Sequence, residues 1–281
     1  MQSMKRRLLS TISTEFNNGI YKLTLNHKPV NALEPKLLNE LHQELLGIHK
    51  NSEIKGLILQ SAFPKVLSAG LDLKTLVDHP EFFLPDQDRK ATTSDYLEKY
   101  KQHITGYMGL FQDVVRLLIT VPMPSVAIVR GAAPAGGTVL SLACDERVGS
   151  ANGFSMGLTE VMVGMAPPRW VHQLARNALG NRKASIAVQQ GKMYANNDAL
   201  DVGYVDHIVR EEEVLSKAKE IIGVYSKLPW NARLDAKLKS VENVTNEISA
   251  EGLKGVVESI SGDEFQSVVK GLLKSLKTKN K

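Results

Sequence analysis

Hydrophobic positions along this chain fall into two rhythms. Residues 20–25 alternate as a strand does and run into Asn26-His27-Lys28-Pro29, a turn signal. Over residues 35–48 the spacing becomes helical, with Leu37, Leu38, Leu41, Leu45 and Leu46 on the apolar side. Residues 56–60 predict a short buried strand. Residues 80–93, polar and interrupted by prolines, predict a surface loop. A long amphipathic helix follows, in which Tyr96, Tyr100, Ile104, Tyr107, Phe111, Val114 and Leu118 recur every three to four residues. Asp95 and Glu98 put acid near its positive end, and Pro122 and Pro124 stop it.

A second buried strand is predicted over 125–129. It ends in the small-residue turn 131–137, and an apolar helix continues from there through Ala143. Further strands fit 146–150 and 205–209, with helices over 170–179 and 184–190. From Glu211 onward the pattern is helical, charged and free of strands. This alternation predicts an α/β core over residues 15–209 and a helical region over 210–281. No flexible linker separates the two, so the helical region is expected to dock on the core.

Composition narrows the function classes. At 281 residues and 43% apolar, the chain can bury a sizeable core. Mean hydropathy is −0.15 and no apolar run is long enough to cross a bilayer, so no membrane span is expected. The single cysteine, Cys144, excludes an intramolecular disulfide and a CxxC site, and its apolar neighbours predict a buried hydrophobe. The seven histidines form no i, i+4 pair, so no metal is expected. A net charge of +5 favours acidic partners such as phosphorylated ligands. Aromatics are only 6% and basic residues are scattered, so no nucleic-acid partner is expected. Residues 1–14 are basic, rich in hydroxyls and free of acid, which is the composition of a mitochondrial targeting segment.

Two turns could hold chemistry. The first is Leu67-Ser68-Ala69-Gly70-Leu71-Asp72-Leu73, the second Ala135-Gly136-Gly137, each between a strand and a helix. N–H groups in the first turn of a helix lack intrahelical partners and point at any oxygen that enters. Taken singly, either turn is ordinary strand-to-helix punctuation. Together they could hold one oxygen between two N–H groups. Gly153-Phe154-Ser155-Met156-Gly157 matches the G-x-S-x-G elbow of serine hydrolases, with Asp198 or Asp201 and then His207 in the required order. The elbow demands a helix straight after the serine, and Gly157, Gly164 and Pro167-Pro168 argue against one. Glu160 stands among Leu158, Val161, Met162, Val163 and Met165. Apolar surroundings would raise its pKa and suit it to general-base work near neutrality. A capping or solvent-facing glutamate, with Thr159 beside it near a helix start, is the alternative.

Four spaced motifs carry a resemblance: Pro29-Val30-Asn31-Ala32-Leu33, Ser68 to Leu73, Gly131 to Gly137 with Cys144-Asp145, and Gly157 to Gly164. In this order they resemble the enoyl-CoA hydratase/isomerase (crotonase) superfamily over roughly residues 20–208. With Ala166-Pro167-Pro168-Arg169-Trp170, the chain is most similar to the mitochondrial Δ3,Δ2-enoyl-CoA isomerases. The resemblance implies a ββα spiral core with a C-terminal α-helical region. It implies an oxyanion hole from the backbone N–H groups of Leu71 and Gly136, and Glu160 as the catalytic carboxylate. Substrate contacts are expected from Ala69, Gly70, Leu71, Asp72, Leu73, Gly136 and Thr159.

Hydratases of this superfamily use two glutamates, and the first would fall at Val139 here. One carboxylate facing an apolar wall favours a proton shuttle over the activation of water; Thr138 is polar, but a hydroxyl is a poor base. The implied reaction is conversion of 3-enoyl-CoA to trans-2-enoyl-CoA in β-oxidation of unsaturated fatty acids. Another acyl-CoA reaction of the superfamily (hydration or hydrolysis) is the alternative, as is a non-catalytic binding protein contacting RNA. Coenzyme A would arrive within the substrate, with no separate cofactor. A homotrimer or dimer of trimers and a mitochondrial-matrix location are further expectations. Residues 78–103 form a longer segment than in the isomerases, and Lys74 or Arg130 could meet phosphate.

Overall fold

The computed structural model describes residues 10–77 and 93–279. The 78–92 part of the long segment and residues 1–9 lie outside the described residues. Strand β1 (Ile12–Asn17) pairs antiparallel with β2 (Ile20–Leu25). Asn18 (φ 50°) and Gly19 (φ 76°) join them, two adjacent positive φ angles of the kind a two-residue hairpin needs. β1 was not read from the sequence, and its outer residues explain why. Most of its positions are exposed, so no apolar alternation marks it. Thr11 is buried and held by Glu40, and residues 12–14 belong to the sheet.

From β2 the sheet continues in parallel through β3 (Gly56–Ser61), β4 (Ser125–Val129), β6 (Glu146–Ser150) and β9 (His207–Val209). A second, three-stranded sheet joins β5 (Ala132–Pro134), β7 (Ser155–Gly157) and β8 (Tyr194–Ala195). Two passages of the chain give one strand to the large sheet and the next to the small one, then enter a helix. β4 and β5 lead into α4 (Gly136–Leu142). β6 and β7 lead through a 3₁₀ turn (Glu160–Val163) to α5 (Arg169–Leu179). These are ββα turns of the kind the resemblance implies.

Alternation decides which face of β4 meets which layer. Ala127 and Val129 enter the main core, whereas Val126 and Ile128 face α8 (Val214–Tyr225) through its Ala218, Ile221 and Ile222. α1 (Pro35–Lys50) covers the main core with Leu37, Leu38, Leu41, Leu45 and Ile48. α3 (Thr93–Ile119) packs against α1 with the stripe read from sequence, since Tyr100, Ile104, Tyr107, Phe111, Val114 and Leu118 are all buried.

Six more helices complete the fold among the described residues. α2 (Leu73–Leu76) is a single turn after the first small-residue turn, while α6 (Asn181–Gln190) and α7 (Asn196–Val202) flank β8. The C-terminal helices α9 (Trp230–Thr245), α10 (Ala250–Ser261) and α11 (Asp263–Lys279) return to the core. Val244, Val256, Ile260, Phe265 and Val269 join the main cluster. Lys237 of α9 is buried and bonds Asp145 at 3.0 Å, and Asp145 in turn accepts from the Ser125 N–H at the start of β4. Among the described residues, no helix is long and apolar enough to cross a membrane.

Candidate active site

The first turn is held by the strip 30–33 lying beside it. Asn31, fully buried, donates from Nδ2 to the Leu67 carbonyl at 2.8 Å, and its own carbonyl accepts from Ser68 Oγ at 2.7 Å. The Ala69 N–H donates to Val30 O, and the Leu33 N–H to Gly70 O at 2.9 Å. Gly70 adopts φ +84°, a conformation open to glycine and costly for a side-chain-bearing residue. Asp72 then caps α2 by accepting from the Thr75 N–H at 3.0 Å and its hydroxyl at 2.8 Å.

The second turn starts from β5. Ala135 has φ 46° and ψ −115°, a strained conformation for a residue with a Cβ. Its N–H donates to Gly157 O at 2.7 Å, which ties the turn to the end of β7 and so to the Glu160 segment. Thr138 strengthens the tie, since its hydroxyl donates to Ala133 O and accepts from the Gly157 N–H. That double role occupies Thr138 and removes it from any chemistry.

The two turns touch. A Cβ on Gly70 would sit 3.2 Å from the Gly136 nitrogen, and one on Gly136 would sit 3.3 Å from the Leu71 nitrogen. One on Gly137 would collide with Ser68 O at 2.5 Å. Glycine at 136 and 137 is what lets the two backbones approach. Neither the Leu71 N–H nor the Gly136 N–H donates to a protein acceptor among the described residues.

Between the turns and Glu160 lies a cavity of about 110 Å³. Ala69, Leu71, Leu73, Gly136, Thr159 and Glu160 line it. Gly70 and Asp72 do not. Gly70 packs against Gly136, and the Asp72 carboxylate is turned to its own helix. The remaining wall is apolar: Val139 of α4, Met108 and Phe111 of α3, Trp170 of α5 and Phe265 of α11. Phe111 and Trp170 rings tilt against each other with centroids 5.9 Å apart. Phe265 carried no signal in the sequence beyond its place on a helical stripe.

Glu160 opens the 3₁₀ turn with Thr159 before it, and its side chain points inward. Only 7% of the residue is exposed, and its Oε2 has no hydrogen-bond partner among the described residues. The solvent-facing alternative is excluded. Burial raises its pKa from 4.5 to about 7, partly offset by its own backbone N–H. Glu160 is the one titratable side chain lining the cavity among the described residues.

The serine-hydrolase reading falls away. Ser155 lies inside β7 with no helix straight after it, so the elbow geometry is absent. His207 is on the other sheet, with Nε2 bonded to Glu146 at 2.9 Å. Arg130 pairs with Glu211 at 3.1 Å, and Lys74 is exposed on α2. Cys144 is buried, and desolvation pushes its thiol up to about 12, so it stays protonated. Among the described residues, no cluster of His, Cys, Asp and Glu could hold a metal ion.

The sequence profile of the enoyl-CoA hydratase/isomerase family matches residues 15–253. The chain belongs to this family. The match continues past β9 to residue 253 in α10, and Phe265 of α11 lines the cavity. Mouse mitochondrial enoyl-CoA delta isomerase 1 is 30% identical over 95% of this chain and 87% of its own length. The crystal structure of human mitochondrial Δ3,Δ2-enoyl-CoA isomerase superposes with a TM-score of 0.85 at 28% identity, covering 96% of this chain and all of that one. An enoyl-CoA hydratase from Bacillus halodurans shares the fold, with a TM-score of 0.75 at 19% identity over 93% of this chain and all of its own.

Proposed function

We propose that this family member moves the double bond of a 3-enoyl-CoA to give trans-2-enoyl-CoA, with Glu160 carrying the proton from C2 to C4. The observation that supports this most is the lone buried carboxylate of Glu160 with Val139 on the cavity wall where a second acid would be needed to activate water. The thioester oxygen sits between the N–H groups of Leu71 and Gly136. Glu160 removes a C2 proton, and the charge spreads over a dienolate whose oxygen those N–H groups stabilise. The protonated acid then returns the proton to C4. One base serves both ends because C2 and C4 lie on one face of a planar intermediate.

The electrostatics suit the task. A carboxyl that titrates near 7 is a stronger base than an exposed one and returns the proton readily at neutral pH. General-base catalysis contributes about 100- to 10,000-fold, and one oxyanion donor about 100- to 1,000-fold. The test is to assay 3-hexenoyl-CoA and 2-hexenoyl-CoA side by side. Isomerisation without hydration is expected. Rapid hydration of the 2-enoyl thioester, with little isomerisation, refutes the assignment.

Coenzyme A belongs to the substrate in this scheme. A mitochondrial-matrix location rests on the composition of residues 1–14 and on the mitochondrial relatives. Assembly as a homotrimer or a dimer of trimers would cover the exposed Trp230 and Leu238 of α9 and Leu272 and Leu276 of α11.

A further inference from the structure

The rate of the proposed reaction depends on where the Leu71 N–H points, and the structure fixes that direction from both sides. A trans peptide is planar, so its carbonyl and N–H point in opposite directions. The peptide that carries the Leu71 N–H also carries Gly70 O, and Gly70 O is held by the Leu33 N–H at 2.9 Å. That bond turns the Leu71 N–H the other way, towards the side where Gly136 N lies. The next peptide carries the Asp72 N–H, which donates to the Tyr107 hydroxyl at 2.9 Å. The same hydroxyl donates to Leu33 O at 2.5 Å. Both peptides around Leu71 are therefore anchored to one residue, Leu33, one directly and one through the phenol. Leu33 and Leu71 form a parallel bridge.

We propose that Tyr107 is a positioning residue: its hydroxyl, not its ring, holds the Leu71 N–H on the thioester oxygen during the isomerisation proposed above. The ring needs no hydroxyl to pack, since Tyr107 sits in the buried stripe of α3 where Phe111 serves one turn on. The hydroxyl is buried with one donor and one acceptor partner, so it is fully engaged. Desolvation holds its pKa well above the ordinary tyrosine value, so it remains a donor to Leu33 across the working pH range. Without it, the Asp72 N–H and Leu33 O must rearrange, and the intervening Leu71 shifts with them. A misplacement on the order of 1 Å at a catalytic group costs up to about 100-fold.

The experiment is Tyr107→Phe, read in three ways: kcat and KM on 3-hexenoyl-CoA, the acid limb of the pH profile, and the absorption of a bound 2,4-dienoyl-CoA. A hydrogen-bonded thioester oxygen polarises that chromophore and moves its absorption to the red. The shift arises from folded, liganded protein alone, so lost stability does not imitate it. Expected are a kcat lower by about 10- to 100-fold, a KM within about twofold, a smaller red shift, and an acid limb that stays where Glu160 puts it. A wild-type kcat and red shift in the variant overturn the proposal, as does a displaced acid limb with an unchanged red shift. The inference rests on the isomerase reading, and the two can fail separately. If wild type shifts the dienoyl spectrum but leaves 3-enoyl-CoA untouched, the reaction is wrong, while the red-shift comparison still decides Tyr107. A wild type that neither turns over nor shifts the chromophore overturns both.

Discussion

Replacing Glu160 by glutamine should stabilise the protein at alkaline pH while removing its chemistry. In the folded state Glu160 is 7% exposed, one carboxyl oxygen has no partner among the described residues, and burial raises its pKa from 4.5 to about 7. A tenfold change in proton affinity is about 1.4 kcal/mol, so the ionised folded form carries a penalty of about 3 kcal/mol. Below pH 4.5 the group is protonated in both states and the penalty is absent. Between 4.5 and 7 the unfolded chain has released the proton and the folded protein has not, so stability falls as pH rises. Above 7 the whole penalty is present. Glutamine has no such titration, and any cost of its buried amide is the same at every pH. Urea unfolding of wild type and Glu160→Gln across this window should show the variant gaining about 3 kcal/mol on wild type from the acid end to the alkaline end. A difference that is constant with pH, or that grows in the opposite direction, refutes the claim that this carboxyl is buried and unpartnered.

Val139→Glu places a second acid on the cavity wall. Hydration of 2-enoyl-CoA should become measurable, and the acid limb assigned to Glu160 should move above 7 because like charges disfavour ionisation; no change in either rate or limb contradicts the geometry. Gly137→Ala drives a Cβ to 2.5 Å from Ser68 O and separates the two turns. Isomerase turnover should drop by about 100-fold or more and stability by about 1–3 kcal/mol, measured by kinetics and thermal unfolding. Phe265→Ala removes a fully buried ring from the cavity wall, which should cost about 3–5 kcal/mol. It should also raise kcat/KM for longer acyl chains relative to 3-hexenoyl-CoA.

What the sequence revealed follows from how local each signal is. The stripe from Tyr100 to Leu118 and the leucines of α1 mark their buried faces because helical spacing needs no outside information. Strands β2, β3, β4 and β6 were legible for the same reason. The small sheet was not. Its strands are two or three residues of Ala, Pro, Ser, Met, Gly and Tyr, too short for any period. Whether Glu160 faced solvent or cavity was undecidable locally, because α11 packs against the 3₁₀ turn from more than a hundred residues away. The contribution of Phe265 is hidden in the same way. Tyr107 was visible only as one apolar position among several, since its hydroxyl acquires a role only when 33 and 72 are brought beside it.

The central claim is that one carboxylate carries the proton. The direct measurement is conversion of 3-hexenoyl-CoA followed spectrophotometrically for wild type and Glu160→Gln, with acyl-CoA affinity measured on both. Turnover by wild type, a loss of about 100- to 10,000-fold in the variant and an affinity close to wild type are the results predicted here. A variant that isomerises at near wild-type rate would remove Glu160 from the mechanism.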